Sequence, residues 1–322
     1  MASVIEIDDI DFSAYLEETE AKQKVKPASV FVEDLLDWMY TPNVERLAYL
    51  PWAKCRDQFA FRQGEVTLWA GINGHGKSLI TGQLALSLMG QGQKVCVASF
   101  EMKPRKTLQR MSRQFSGDEP AQIGDHPDII AGYKGIVRQF ADWTDGRLWL
   151  YDQQGTVTPE TIVAVTRYCA KELGIQHIFI DSLMKCVRGE DDYNGQKYLV
   201  DELCAIAKDH DIHIHLIHHI KKLMNEGMVP GKFDAKGSGS ITDQVDNMLI
   251  HWRNKPKEIA LQTGEASYNP ADPDAMLICA KQRNGEWEGR IQLWLDPKTN
   301  QFMQNQNDRP VNFDTWPHVA WS

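Results

Sequence analysis

From residue 64 onward the apolar positions fall into two kinds of run. EVTLWAG, KVCVASF, QHIFID and IHIHLIHH are short and predict buried strands. KSLITGQLALSLMGQG is longer and reads as a helix that stops at glycine. The polar segment SGDEPAQIGDHPD interrupts the alternation, after which a helix leads to the strand RLWLYD. TPETIVAVTRYCAKELG carries helix punctuation at both ends: Thr158 as cap, Pro159 in the first turn and Gly174 as the stop. A further helix runs through residues 198–210. Strands alternating with helices predict an α/β fold, a mostly parallel twisted sheet with helices on both faces. In that sheet KVCVASF is expected beside EVTLWAG. NMLIHWR, AMLICAKQRN and RIQLWLD follow one another through turns, so the sheet is expected to finish in antiparallel pairs.

The ends of the chain read differently. Residues 1–28 form an acidic, flexible arm, with seven acids and no base in MASVIEIDDIDFSAYLEETE. Residues 29–61 read as a linker holding an amphipathic helix, in which Phe31, Leu35, Trp38 and Met39 recur at near-helical spacing. The main domain is expected over 62–303. Residues 304–322, polar and broken by proline, read as a loosely packed tail; its Phe313, Trp316 and Trp321 could instead dock a polymerase or primase.

Composition narrows the class. With 42% hydrophobic and 25% charged residues in 322 positions, the chain is that of an ordinary soluble globular protein. No apolar run reaches the ~18 residues of a membrane span, and the N-terminus has neither the secretory nor the organelle-import pattern. The six cysteines show no CxxC spacing, which argues against a disulfide framework and fits a reducing cytoplasm. A net charge of -9 means that any nucleic-acid contact must come from local basic loops.

Residues 71–78, GINGHGKS, match G-x-x-x-x-G-K-[ST] at a strand-to-helix junction. Glycines there let backbone N–H groups turn toward phosphates, Lys77 can reach the β- and γ-phosphates, and Ser78 can ligate Mg²⁺. The binding set for ATP or another NTP is therefore Gly71, Asn73, Gly74, His75, Gly76, Lys77, Ser78 and Leu79. IFID delivers Asp181 to a strand's C-terminal end, the edge where open α/β sheets bind ligands, and completes the magnesium pair with Ser78. SFEM places Glu101 just past another strand. It is either the base that positions water or a solvated glutamate at a helix start.

These motifs, in the order GINGHGKS, SFEM, IFIDSL, HLIHHIKK, DAKGSGSITDQVDN and AKQRNGEWEG, resemble the RecA-like ATPase domain of hexameric replicative DNA helicases. That family takes in DnaB-type helicases and the helicase half of phage primase–helicases. The resemblance spans roughly residues 62–297. It implies an ATP-hydrolysing DNA helicase, hexameric, that travels on single-stranded DNA. Glu101 is then the catalytic glutamate. Arg283, with Lys281 two residues earlier on the same strand face, reaches the neighbouring subunit's nucleotide. A primase, polymerase or helicase loader would act as a separate partner, because the chain shows neither the bacterial N-terminal helical domain nor a phage primase. Such a compact chain suits a phage-encoded protein in a host cytoplasm. Where the family has Asp-Leu-Arg, this chain has Asp234-Ala235-Lys236, which puts any role for a bidentate arginine in question.

HIHIHLIHHIKK raises a separate question. His213 and His215 share one strand face, but no Cys or carboxylate within the stretch completes a zinc set. They are expected to pack, hydrogen-bonded, against a covering helix. His219 ends the strand at the edge of Asp181, and the resemblance makes it a sensor of the γ-phosphate. The loop that follows carries Lys221, Lys222, Lys232 and Lys236 with Gly237. It is either solvated or, in a ring, a lining of the central channel that contacts successive DNA phosphates. Lys185 and Arg188 form a second candidate contact. Two other classes share the phosphate loop: a recombinase filament and an ATP-gated switch that needs no DNA.

Overall fold

Ahead of the main sheet, β1 (Ala48–Tyr49) pairs antiparallel with β2 (Ala60–Phe61) and delivers Phe59 and Phe61 to the interior. This computed structural model describes residues 27–40, 47–122, 124–189, 191–220, 227–234, 239–264 and 268–315. Its contacts divide into two units, Met1–Arg46 and Leu47–Ser322. In the first, a 3-10 turn at Ala28–Phe31 leads into α1 (Val32–Tyr40), which exposes Val32, Leu35, Leu36, Met39 and Tyr40. The second unit takes in residues 47–61, read above as linker: Leu50, Trp52, Cys55, Phe59 and Phe61 are all buried in its core.

The main elements follow in order: β3 (Val66–Gly71), α2 (Lys77–Gly90), β4 (Val95–Ser99), α3 (Pro104–Ser116), α4 (Pro127–Thr144), β5 (Leu148–Tyr151), α5 (Pro159–Lys171), β6 (His177–Asp181) and α6 (Tyr193–His210). After them come β7 (His213–His219), α7 (Gly239–Gln244), β8 (Asn247–Arg253), α8 (Lys255–Thr263), β9 (Ala275–Gln282), β10 (Gly289–Leu295) and β11 (Phe302–Met303). The nine-stranded sheet runs β11-β10-β9-β8-β3-β7-β6-β4-β5. The strands from β8 to β5 are parallel, and β9, β10 and β11 pair antiparallel. The parallel core and the antiparallel finish agree with the sequence pattern. No helix among the described residues is long and apolar enough to cross a membrane.

Three expectations need correction. β4 does not neighbour β3, because β7 and β6 lie between them. β8 is parallel to β3 and is followed by α8, a helix capped by the Asn254 side chain with Pro256 in its first turn. α3, entertained above only as one setting for Glu101 and given no bounds, runs from Pro104 to Ser116 and stops at Gly117, whose φ of 70° suits a helix end.

Alternation along β3 divides the core. Val66, Leu68 and Ala70 face the layer of α5 and α6, and Trp69 faces the layer of α2 and α3. His177, His213 and His215 lie on the Trp69 side, each fully enclosed. Phe61 of β2, not a helix, covers them, with ring centroids 5.1 Å from His213 and 5.0 Å from His215. Their hydrogen bonds are internal. Trp69 Nε1 donates to His215 Nδ1 at 3.1 Å, so His215 carries its proton on Nε2 and donates to His177 Nδ1 at 3.1 Å. His213 Nδ1 faces the Arg62 carbonyl, and its Nε2 meets Thr67 Oγ1 at 2.8 Å. Burial lowers the His213 pKa to about 4 and those of His177 and His215 well below the usual value, so all three rings are neutral core residues.

The tail is described as far as Thr315 and packs at Phe313. Phe313 is 1% exposed, and its N–H donates to the Phe115 carbonyl at 2.9 Å. Gln301 bonds Val311 through both ends of its amide. Burial of Phe313 contributes about 2–3 kcal/mol by area. Trp316 and Trp321 lie outside the described residues.

Candidate functional site

The site begins where β3 ends. Gly71 approaches β8 so closely that a Cβ there would stand 2.7 Å from the His251 carbonyl oxygen. Gly76, at φ 85°, turns the chain into α2, whose first residues have no side-chain cap. Free N–H groups at a helix start favour an anion. Lys77 is 7% exposed, and its Nζ donates to the carbonyls of Gly71 at 2.9 Å and Ile72 at 3.1 Å. Burial lowers its pKa to about 8, against the opposing pull of Asp181 and Glu101.

Three further strands bring side chains to the same edge. Ser78 Oγ donates to Asp181 Oδ2 at 2.8 Å. Burial pushes the Asp181 carboxyl upward; the Ser78 hydrogen bond opposes this, Glu101 adds to it, and Lys77 and Arg110 oppose it. Glu101 follows β4, and its Oε1 lies 3.8 Å from His219 Nε2 at the end of β7. A cleft of about 490 Å³ joins Asn73, Gly74, Gly76, Lys77, Ser78 and Leu79 to Asp181, Glu101 and His219. The donors fit a hard divalent cation beside phosphate: one hydroxyl and one buried carboxylate whose charge is only partly compensated.

Arg110 and Arg253 line this cleft too, and the sequence reading missed both. Arg253 ends β8 at the ligand-binding edge, a position that was legible by the same rule that located Asp181. It pairs with Glu258 at 2.9 Å. Arg110 projects from α3, so its place became readable only with that helix.

Other predicted residues lie elsewhere. The His75 side chain is 1% exposed and turned inward, where Nδ1 accepts from the Arg253 N–H at 3.1 Å. Burial first, then neighbouring cations, lowers its pKa to about 4. His75 therefore supports the loop from below and does not line the cleft. Lys281 and Arg283 sit at the opposite edge of the sheet, because β9 runs antiparallel and ends beside the start of β8. Across the seven residues of β8 the two edges stand about 20 Å apart. Lys185 lies in a 3-10 turn and is partly buried. Arg188 is exposed, but Asp192 accepts its N–H and Glu160 is close enough to feel its charge. Lys232 is partly buried in a 3-10 turn, Lys232–Asp234. Lys221, Lys222, Lys236 and Gly237 lie outside the described residues.

A larger groove, about 1100 Å³, opens between α3 and α4. It shares only Arg110 with the cleft. Leu108 and Val137 supply apolar wall, and Arg105, Lys106 and Arg113 supply positive charge.

Residues 58–304 match the family of the DnaB-like helicase C terminal domain. The chain belongs to that family. Among solved structures it is similar to a DnaB-like replicative helicase studied for its interactions with primase. The TM-score is 0.68 at 16% identity, covering 90% of this chain and 70% of that one. It is also similar to a second solved structure, that of an ATPase domain, with a TM-score of 0.61 at 17% identity, covering 95% of this chain and all of the other. These likenesses support a RecA-like fold, and family membership supports a helicase-type NTPase.

Proposed function

We propose that this chain is a replicative DNA helicase that forms a ring, a hexamer, and hydrolyses ATP at its subunit junctions. The observation that carries the reading is the separation of two half-sites. Lys77, Ser78, Asp181, Glu101 and His219 converge on one cleft, while Lys281 and Arg283 stand about 20 Å away at the other edge of the same sheet. A triphosphate can meet both sets only between two protomers.

In this reading Lys77 exchanges its two carbonyl partners for β- and γ-phosphate oxygens. Ser78 and Asp181 would hold Mg²⁺, which when bound neutralises charge on those phosphates. Glu101 orients the attacking water and accepts its proton. His219, 3.8 Å from Glu101, reports the γ-phosphate to the loop that follows β7. Arg283 of the next protomer, with Lys281, stabilises charge in the transition state. The loop lysines 221, 222, 232 and 236, with Gly237, contact phosphates of single-stranded DNA in the channel; Lys185 and Arg188 add a weaker contact, since acids surround Arg188. A separate primase is the partner we expect first, because one similar structure was determined for its interactions with primase.

Ring assembly is assigned to α1. Its exposed Val32, Leu35, Leu36 and Met39, beside Glu33 and Asp37 in the sequence, complement the apolar and basic groove between α3 and α4 of a neighbouring copy. Deleting residues 1–42 should weaken assembly more than ATP binding; rings of undiminished stability would refute the docking.

The test of the whole reading is ATP-dependent unwinding of a forked duplex, with Lys77→Ala as control. Unwinding by the native protein alone is expected. Filaments in negative-stain images, or hydrolysis indifferent to DNA, would favour the recombinase or switch classes instead.

A further inference from the structure

The turn that carries Arg283 is held from beneath by residues at the end of DAKGSGSITDQVDN, to which the sequence reading gave no role, and by Glu65. Asp246, whose side chain is 4% exposed, places Oδ1 3.0 Å from Arg283 Nη1, and its backbone carbonyl accepts the Arg283 N–H at 3.0 Å. Its Oδ2 accepts the Val66 N–H at 3.0 Å, which ties the carboxylate to the start of β3. Arg283 Nη2 donates to the carbonyls of Asp243 at 3.1 Å and Gln244 at 3.2 Å, the last residues of α7 and its C-terminal turn. Lys281 Nζ donates to the carbonyls of Thr242, Asp243 and Val245 at 2.7–2.9 Å. Both cations therefore rest on one helix C-terminus, where the carbonyls of the last turn carry negative charge.

The neighbouring Asn284 is fixed as well. Its Nδ2 donates to Glu65 Oε1 at 2.7 Å, and the other oxygen of Glu65 takes Asn247 Nδ2 at 2.8 Å. Asn247 Nδ2 also reaches Thr67 Oγ1, which meets His213. The turn is thus anchored to the buried polar network of the core. Gln244 Nε2 donates to Asp201 Oδ1 at 2.7 Å, which pins α7 to α6.

Resting on the reading that Arg283 acts on a neighbour's triphosphate, we infer that Asp246 and the C-terminal carbonyls of α7 are the positioning apparatus for Arg283 and Lys281, and that α7 carries the state of the lysine loop to them. Lys232 opens a described turn seven residues before Gly239, where α7 begins, so a displacement of that turn is carried toward the carbonyls that hold both cations. Lys232 is also near enough to act on Lys281 directly: after burial and Arg283, its charge contributes to lowering the Lys281 pKa. DNA phosphate that neutralises Lys232 would change that field. A guanidinium aimed by a fixed carboxylate needs little reorganisation to meet the developing charge, and a misplacement of about 1 Å costs on the order of 10²-fold in rate.

The test compares Asp246→Asn with the native full-length protein, in ATP turnover with and without single-stranded DNA and in nucleotide affinity. Asparagine keeps an acceptor for the Val66 N–H but loses the charge that aims Arg283. The expected result is a DNA-stimulated kcat lower by about 10²-fold, with nucleotide affinity within twofold and a smaller loss without DNA. In an Arg283→Ala background the same substitution should have no further effect, since the two then act on one step. Asn284→Ala, at an exposed position, frees the turn from Glu65 without emptying the core and should lower kcat about 10-fold in the same pattern. An undiminished kcat, or a loss that adds fully to that of Arg283→Ala, would overturn the inference. A loss equal with and without DNA would overturn the link through α7. If Arg283→Ala itself turned over at native speed, the neighbour-acting role would fall, and this inference with it.

Discussion

At the C-terminal edge of the sheet, unlike charges meet across an open cleft: Lys77, Arg110 and Arg253 face Asp181 and Glu101 with about 490 Å³ between them. At the opposite edge Lys281 and Arg283 lie directly against backbone carbonyls and Asp246. Behind them a hydrogen-bonded network runs through Asn284, Glu65, Asn247 and Thr67 to His213. The first edge is arranged to receive a ligand, and the second to hold two cations at fixed positions. The difference fits the proposed reading, in which a ring divides one reaction between two surfaces of the same protomer, each prepared separately and neither sufficient.

The contrast can be broken most severely at the second edge. Arg283→Ala is expected to lower ATP turnover by about 10³-fold while nucleotide affinity at the protomer's own cleft stays within a few-fold, since the arginine is remote from it. Stopped-flow nucleotide binding beside steady-state hydrolysis measures both. Equal losses in affinity and turnover would place Arg283 in its own cleft.

Intermediate effects belong to the first edge. His219→Ala should leave nucleotide binding nearly intact and reduce DNA-stimulated turnover about 10-fold, since in the proposed reading the histidine relays the γ-phosphate and does not anchor the nucleotide. Unchanged stimulation by DNA would remove that role. An effect of similar size, reached by pH and not by substitution, follows from Lys77, whose pKa of about 8 means that the free cleft carries its full positive charge below that pH and loses it above. The kcat/KM for ATP should therefore fall by about 10-fold between pH 7 and pH 9. A flat profile over that range would show that the triphosphate does not depend on the lysine's charge.

How much of this was legible in the sequence differs between the edges for a physical reason. GINGHGKS and IFID are local signals: phosphate binding needs glycines, a lysine and a hydroxyl at fixed spacing, and a carboxylate at a strand end, so Lys77, Ser78 and Asp181 could be read directly. Asp246 and Glu65 act through partners 37 and 219 residues distant in the chain, Arg283 and Asn284, and only strand pairing brings them together. His75 shows the converse, since its position in the motif is right but its ring is turned into the core by the Arg253 N–H. Strand order was misread at β4 because an apolar run states that a strand is buried and not which strands flank it. His213 and His215 of β7 were correctly read as structural; their cover, Phe61, comes from a segment taken for linker, where the short runs LAYLPW and QFAF gave no strand-length pattern.

The most direct test of the shared cleft is subunit mixing. Lys77→Ala protomers keep a working Arg283, and Arg283→Ala protomers keep a working phosphate loop, so random rings made from equal amounts should contain about a quarter of native junctions. The account predicts that two preparations, each nearly inactive alone, regain basal ATP hydrolysis to about that fraction when mixed and reassembled. Mixtures no more active than their parts, or a monomeric protein that hydrolyses ATP at full speed, would contradict it.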